Sequence, residues 1–267
     1  MKLNIKKLCA ILAGAFTIVS LSSCLEQESS TNLSKDGSGT IVEKTTLGAQ
    51  MAGMMKQGGE GANEFTDEET YKAKVATMGE GVEFVGLEQK DLPNGGMEII
   101  ATYKFADITK LKAAMSDDDP DSGQITFEYE KGDVNKLTVN MPKKAGAKDG
   151  EGVEGVDGLE IEEELSDEEK EAQKQQMKMM AGMMAGMRMA SYIVVDGEVV
   201  KTDADFSEGN KITLFDLDIG KIFSNDEALD KLSSPDDMED FNTMRELAKS
   251  IEGLKIEADD KIVVEFK

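Results

Sequence analysis

The stretch TNLSKDGSGTIVEKTTL, residues 31–47, decides how the chain is read. Thr31 to Leu33 and Thr40 to Leu47 are rich in β-branched and apolar residues, and they flank Lys35-Asp36-Gly37-Ser38-Gly39. An Asp-Gly pair supplies the positive φ of a tight turn, so two extended runs closed by it predict an antiparallel hairpin. The same pattern recurs downstream. Val82 to Leu92 and Met97 to Ala106 flank Pro93-Asn94-Gly95-Gly96. Ile125 to Glu130 and Val134 to Met141 turn at Gly132-Asp133, and Tyr192 to Val195 and Glu198 to Lys201 turn at Asp196-Gly197. Lys211 to Leu217 and Ile256 to Phe266 read as further strands on their β-branched and aromatic content.

Helices are expected between these strands. Residues 49–65 are small, Met- and Gly-rich and only weakly helical in pattern, whereas Thr66 with Glu69 has capping-box spacing for a helix ending before Gly79. Asp107 caps a short helix as far as Met115, and Ser234-Pro235 opens one running to about Glu252. Ser166 with Glu169 forms a second capping box, and from there to Ala190 long helix-favouring side chains run without a proline, which predicts the longest helix. The expected fold class is α+β: antiparallel β-hairpins forming a sheet packed against that long Met-rich helix, with further short helices. Residues 31–141 form an N-terminal α+β region and 166–267 a C-terminal one, and the two are compatible with a single domain. Between them, residues 142–165 hold five glycines and eight acids with few apolar side chains, the composition of a flexible acidic linker. Asn94 to Leu111 and Asn210 to Ile222 share a turn, a strand and an Asp-capped helix start, a faint internal repeat.

Composition narrows the function. Across 267 residues, 30 Lys+Arg face 54 Asp+Glu, a net charge of -24 that repels phosphates and argues against a nucleic-acid partner. There is no His and no Trp, and Arg188 and Arg245 are the two arginines. His-based general bases, His-ligated metals and the usual bidentate phosphate clamps are thereby removed. No enzyme activity and no cofactor are expected.

The first 25 residues supply an address. Lys2, Lys6 and Lys7 precede the uncharged, mainly apolar run Leu8 to Leu21, which is long enough for an export signal but short of the ~20 residues that span a bilayer. The run ends in Leu21-Ser22-Ser23-Cys24, which resembles the lipobox of bacterial lipoproteins. The resemblance implies that residues 1–23 are a signal peptide and that Cys24 carries the lipid; the polar stretch 24–30 reads as a short tether. Cys9 would leave with the signal, so no disulfide remains. By resemblance to the sorting rule of enteric bacteria, in which Asp after the acylated cysteine retains the protein at the inner membrane, Leu25 implies the outer membrane if the organism is Gram-negative. The expected protein is a lipid-anchored, non-enzymatic lipoprotein of the cell envelope, with the membrane as partner through its anchor and a lipid or an envelope protein as a further partner.

A second resemblance rests on the Asp36-Gly37-Ser38-Gly39 hairpin and on Asp196-Gly197-Glu198-Val199-Val200, Thr202-Asp203-Ala204 and Glu208-Gly209-Asn210-Lys211-Ile212-Thr213-Leu214. These stretches resemble the LppM-type lipoprotein domain, with Leu214 or Phe215 where that family often bears Trp. The resemblance implies an α+β, membrane-tethered envelope protein with an apolar-ligand groove and no catalytic residues.

Two constellations carry candidate chemistry. Seven methionines lie between Met177 and Met189, and Met-Ala-Gly-Met-Met occurs at 51–55 and at 180–184. On a helix, Met177, Met179, Met180, Met183, Met184 and Met187 share an arc of about 160°. Such a face packs on a sheet as adaptable core, or binds a lipid or partner; the alternative is an exported Cu(I)/Ag(I)-handling protein that uses the thioethers. Asp117, Asp119, Asp121 and Glu128 occupy positions one, three, five and twelve of a calcium-loop pattern, with Ser122 where glycine is usual. The acid pairs Asp203/Asp205 and Asp216/Asp218 have the composition of a glycosidase dyad, but alternation along a strand explains the second pair.

Overall fold

The computed structural model describes residues 25–56, 65–114, 124–141, 186–225, 228–229 and 241–267. The opening hairpin is formed as its sequence dictates: β1 (Leu25–Leu33) pairs antiparallel with β2 (Gly39–Leu47), Leu33 opposite Gly39 and Leu25 opposite Leu47. Gly37 has φ 95° at the turn, where Asp36 accepts from the Ser38 amide at 3.0 Å. After helices α1 (Ala49–Lys56) and α2 (Glu68–Lys74), β3 (Val82–Asp91) and β4 (Met97–Phe105) make a second hairpin, with β4 pairing β2. The inward row of β4, Met97, Ile99, Ala101, Tyr103 and Phe105, is buried throughout, as a period of two requires on a half-buried strand.

The chain then changes sheet. Asp107 accepts from the Thr109 amide, but it caps a single 3-10 turn, Ile108–Lys110, and β5 (Lys112–Ala114) follows in place of the expected helix to Met115. Strands β5, β6 (Gln124–Glu130) and β7 (Asn135–Asn140) start a five-stranded sheet that β13 (Lys261–Phe266) and β9 (Val199–Thr202) complete, in the order β5-β6-β7-β13-β9. The larger sheet runs β10-β11-β8-β1-β2-β4-β3, made by β8 (Arg188–Val195), β10 (Ser207–Glu208) and β11 (Lys211–Asp218), with β12 (Lys255–Ile256) beside β11. Helices α3 (Ile219–Ser224) and α4 (Phe241–Ser250) connect β11 to β12.

One apolar core lies between the sheets. Leu33, Ile41, Tyr103, Ile193 and Val195 of the larger sheet share it with Phe127, Leu137, Val139, Val264 and Phe266 of the smaller, and Ile222 and Leu247 close it from α3 and α4. The larger sheet is longer than its cover. A second cluster, Leu47, Ala52, Met97 and Ile99 with Leu25, Met51 and Met55 packed on it, shows that α1 covers the remaining end.

Several expectations are corrected by this arrangement. Among the described residues the fold is predominantly β, two packed sheets with short helices, which corrects the expected α+β sheet on a long helix; the longest described helix is α4, with ten residues. Residues 166–185 of the expected Met-rich helix lie outside the described residues, and its expected end is strand: Gly186 turns at φ 83° and β8 begins at Arg188. Residues 25–30, read as tether, belong to β1, a central strand paired on both sides. Asp196-Gly197 does not close a hairpin; it carries the chain from β8 in one sheet to β9 in the other. Asp67, not Thr66, caps α2, accepting from the Glu69 amide at 3.0 Å. The linker reading of 142–165 falls outside the described residues.

Candidate functional site

On the face of the larger sheet turned away from the core, strand register lays four residues in one row: Lys44 on β2, Glu28 on β1, Ala190 on β8 and Asp216 on β11. Ala190 leaves a gap between two carboxylates, and the side chains two positions to either side on β8 fill it. Arg188 donates from Nε to Asp216 Oδ1 at 2.7 Å and from a terminal nitrogen to Asp216 Oδ2 at 2.8 Å. It also donates to Glu28 Oε1 at 3.0 Å and to the Tyr192 hydroxyl at 2.9 Å. Four of the five guanidinium N–H groups are thus taken. Lys44 pairs with Glu28 from the far side, and Lys211 Nζ stands 3.3 Å from the centre of the Tyr192 ring.

Electrostatics follow from this packing. Burial alone raises the Glu28 carboxyl, but the ion pairs with Lys44 and then Arg188 outweigh it and hold the group below the ordinary glutamate value. Hydrogen bonding to Asp216 drives the Arg188 guanidinium further up, and burial raises the Tyr192 phenol. A row in which each charge is met by its neighbour clasps β2, β1, β8 and β11 together. Toward the β1–β2 turn the same face opens into a shallow depression of about 300 Å³ lined by Asn32, Thr40, Val194, Asp196 and Asn210.

The other arginine is structural as well. Arg245 on α4 is 9% exposed and donates to the Glu257 carbonyl, the Asp260 carboxylate and the Asp259 carbonyl at 2.8, 2.8 and 3.1 Å. Glu257, 1% exposed, accepts the Asp205 and Phe206 amides on its two carboxylate oxygens, each at 3.0 Å. Burial pushes this carboxyl above its ordinary value, partly offset by those two amides.

Of the candidate site residues singled out from sequence, Met187 and Glu128 fall among the described residues. Cys24, Met177, Met180, Met183, Met184, Asp117, Asp119 and Asp121 lie outside the described residues. Met187 precedes β8, half-buried against the main core, its carbonyl accepting the Ile219 amide, and is not on a helix. Glu128 stands in β6 opposite Thr138, exposed, and accepts from Asn140 at 3.2 Å. In the first Met-Ala-Gly-Met-Met copy, Ala52 is buried and Met51 and Met55 pack on the second cluster, so those thioethers serve as core. Asp203 accepts the Val263 amide, Asp216 is held by Arg188, and Asp218 caps α3, so each of these three carboxylates has a structural partner. Among the described residues no cluster of three His, Cys, Asp or Glu could hold a metal, and no helix is long and apolar enough to cross a membrane.

The Glu28–Arg188–Asp216 row escaped the sequence reading. Its Glu28–Lys44 part follows from the hairpin register, and the scarcity of arginine marks Arg188, but the parallel pairing of β1 with β8 joins residues 160 apart.

No family model matches the sequence, and no curated protein matches it. Among solved structures, the folded domain of the Mycobacterium tuberculosis LppM protein is similar at a TM-score of 0.30 and 9% identity, over 72% of this chain and 81% of that one. A TM-score this low does not establish a common fold, so the functional reading rests on the residues themselves.

Proposed function

We propose that the chain is a lipid-anchored, non-enzymatic binding or structural module of a bacterial cell envelope, held to its membrane through Cys24. The observation that carries this reading is Leu21-Ser22-Ser23-Cys24 at the end of a basic and apolar leader. Two or three acyl chains, each contributing ~0.8 kcal/mol per buried methylene, anchor a protein far more firmly than one. The ion row supports the non-enzymatic part, because its carboxylates and guanidinium satisfy one another across four strands. A Gram-negative host would place the protein at the outer membrane, given Leu25 after the acylated position. The test is Cys24→Ala followed by detergent phase partitioning: the wild type is expected in the detergent phase and the variant in the aqueous phase or as uncleaved precursor. Equal partitioning of two fully processed proteins would sink the reading.

A further inference from the structure

The position of β1 constrains how an anchored protein must sit. Leu25, the residue after Cys24, is already paired with Leu47 and packed on the second apolar cluster. Adjacent Cα atoms lie ~3.8 Å apart, so a lipid on Cys24 is attached beside that end of the sheet, with only the cysteine side chain and the glyceryl linkage between it and the acyl chains. The same end carries α1, tied to the β3–β4 hairpin by the Lys56–Asp91 ion pair at 2.6 Å, with Ala49 lying against the Gly95 turn. Met54 on α1 is 63% exposed, the most exposed of the large apolar side chains among the described residues. The opposite end holds the β1–β2 and β6–β7 turns, joined where the Tyr129 hydroxyl donates to the Lys35 carbonyl at 2.9 Å. The nine residues of β1 separate the two ends by roughly 26 Å.

We propose that this end is a membrane-docking surface: α1 and the Leu92–Gly96 turn face the lipid headgroups and Met54 enters the interface. The inference rests on the lipid-anchor reading and adds an orientation to it. A mobile tether would leave the acidic body free to swing away from the surface. A chain that enters a central strand at the next residue holds one end down. The occupant is the bilayer that holds the acyl chains, because no other surface lies within reach of residue 24 by covalent geometry alone.

The test uses the full-length protein purified from membranes, with Met54→Cys or Val134→Cys as the sole free thiol. Val134, 37% exposed in the β6–β7 turn, marks the far end. Each variant is labelled with an environment-sensitive fluorophore and reconstituted into phosphatidylcholine vesicles carrying headgroup-region nitroxide lipids. Quenching at Met54 is expected to exceed quenching at Val134 several-fold, and a ten-residue Gly/Ser insertion between Cys24 and Leu25 is expected to abolish the difference. Equal quenching on protein whose intact mass includes the lipid overturns the docking inference alone. A mass without lipid overturns the anchor reading and the docking with it. A difference that survives the insertion overturns the argument from β1.

Discussion

Replacing Arg188 with methionine tests the ion row most sharply. Methionine keeps much of the aliphatic length but leaves Glu28 and Asp216 without the cation between them. Exposed ion pairs contribute about 0–1 kcal/mol, while removing one partner of a buried pair costs about 3–5. The side chains of Arg188, Glu28 and Asp216 are 32%, 22% and 20% exposed, between those limits, so Arg188→Met should cost about 2 kcal/mol at neutral pH. The loss should depend on pH with a defined sign. Glu28 is held below its ordinary value in the folded state, so its contribution is present above the unfolded value of 4.5 and is lost as pH falls through the folded value. Urea unfolding of wild type and variant, at neutral pH and again about one unit below the ordinary glutamate value, should show the gap narrowing in acid. Adding Glu28→Gln and Asp216→Asn should recover part of the loss, since no uncompensated charge then remains. A cost under about 0.5 kcal/mol at neutral pH, or one unchanged in acid, would refute the reasoning.

Two further substitutions probe the joints between the sheets. At Gly197, φ is 149° and a Cβ would lie 1.9 Å from the Lys267 carbonyl oxygen, so Gly197→Ala must displace the strand end that Glu198 and Lys267 hold by paired hydrogen bonds of 3.0 Å. About 2–4 kcal/mol of destabilisation is expected by thermal or urea unfolding, and a neutral substitution would contradict the close crossing. Glu257 has the opposite pH sign from Glu28. Its folded value is raised, so the stability that proton binding gives is present below the unfolded value and is lost as pH rises through the folded one. Glu257→Gln should therefore flatten the fall in urea midpoint on going from acid to neutral pH; an unaltered profile would count against a carboxyl that burial holds above its ordinary value.

Particular residues explain what the sequence discloses and what it hides. Hairpins are local: Asp36-Gly37 and Asn94-Gly95 sit between runs whose partners are a few residues away, and both registers follow from the turn. Asp196-Gly197 has the same composition, yet here the positive φ serves a crossing between sheets, because β9 finds its partner in β13, more than sixty residues on. The distinction lies in distant pairing that a local pattern does not register. Leu111 to Met115 has helix-favouring composition, but Lys112–Ala114 is extended because β6 offers ladder partners, a tertiary override of propensity. The polarity of residues 25–30 resembles a tether for a physical reason. Glu26, Glu28 and Ser30 alternate onto the outward face of a central strand, where ion pairs to Glu28 from both sides replace the apolar contacts that usually identify a buried strand. Of the candidate site residues, Met187 and Glu128 fall among the described ones, and each is accounted for by packing or by a cross-strand hydrogen bond.

The anchor is the claim on which the rest of the functional account depends, and tandem mass spectrometry of the N-terminal peptide, from protein extracted out of its own membranes, tests it most directly. The account predicts a mature chain beginning at Cys24 with a diacylglyceryl thioether on that residue and nothing of residues 1–23. A chain that retains residues 1–23, or an unmodified Cys24 thiol, would contradict it.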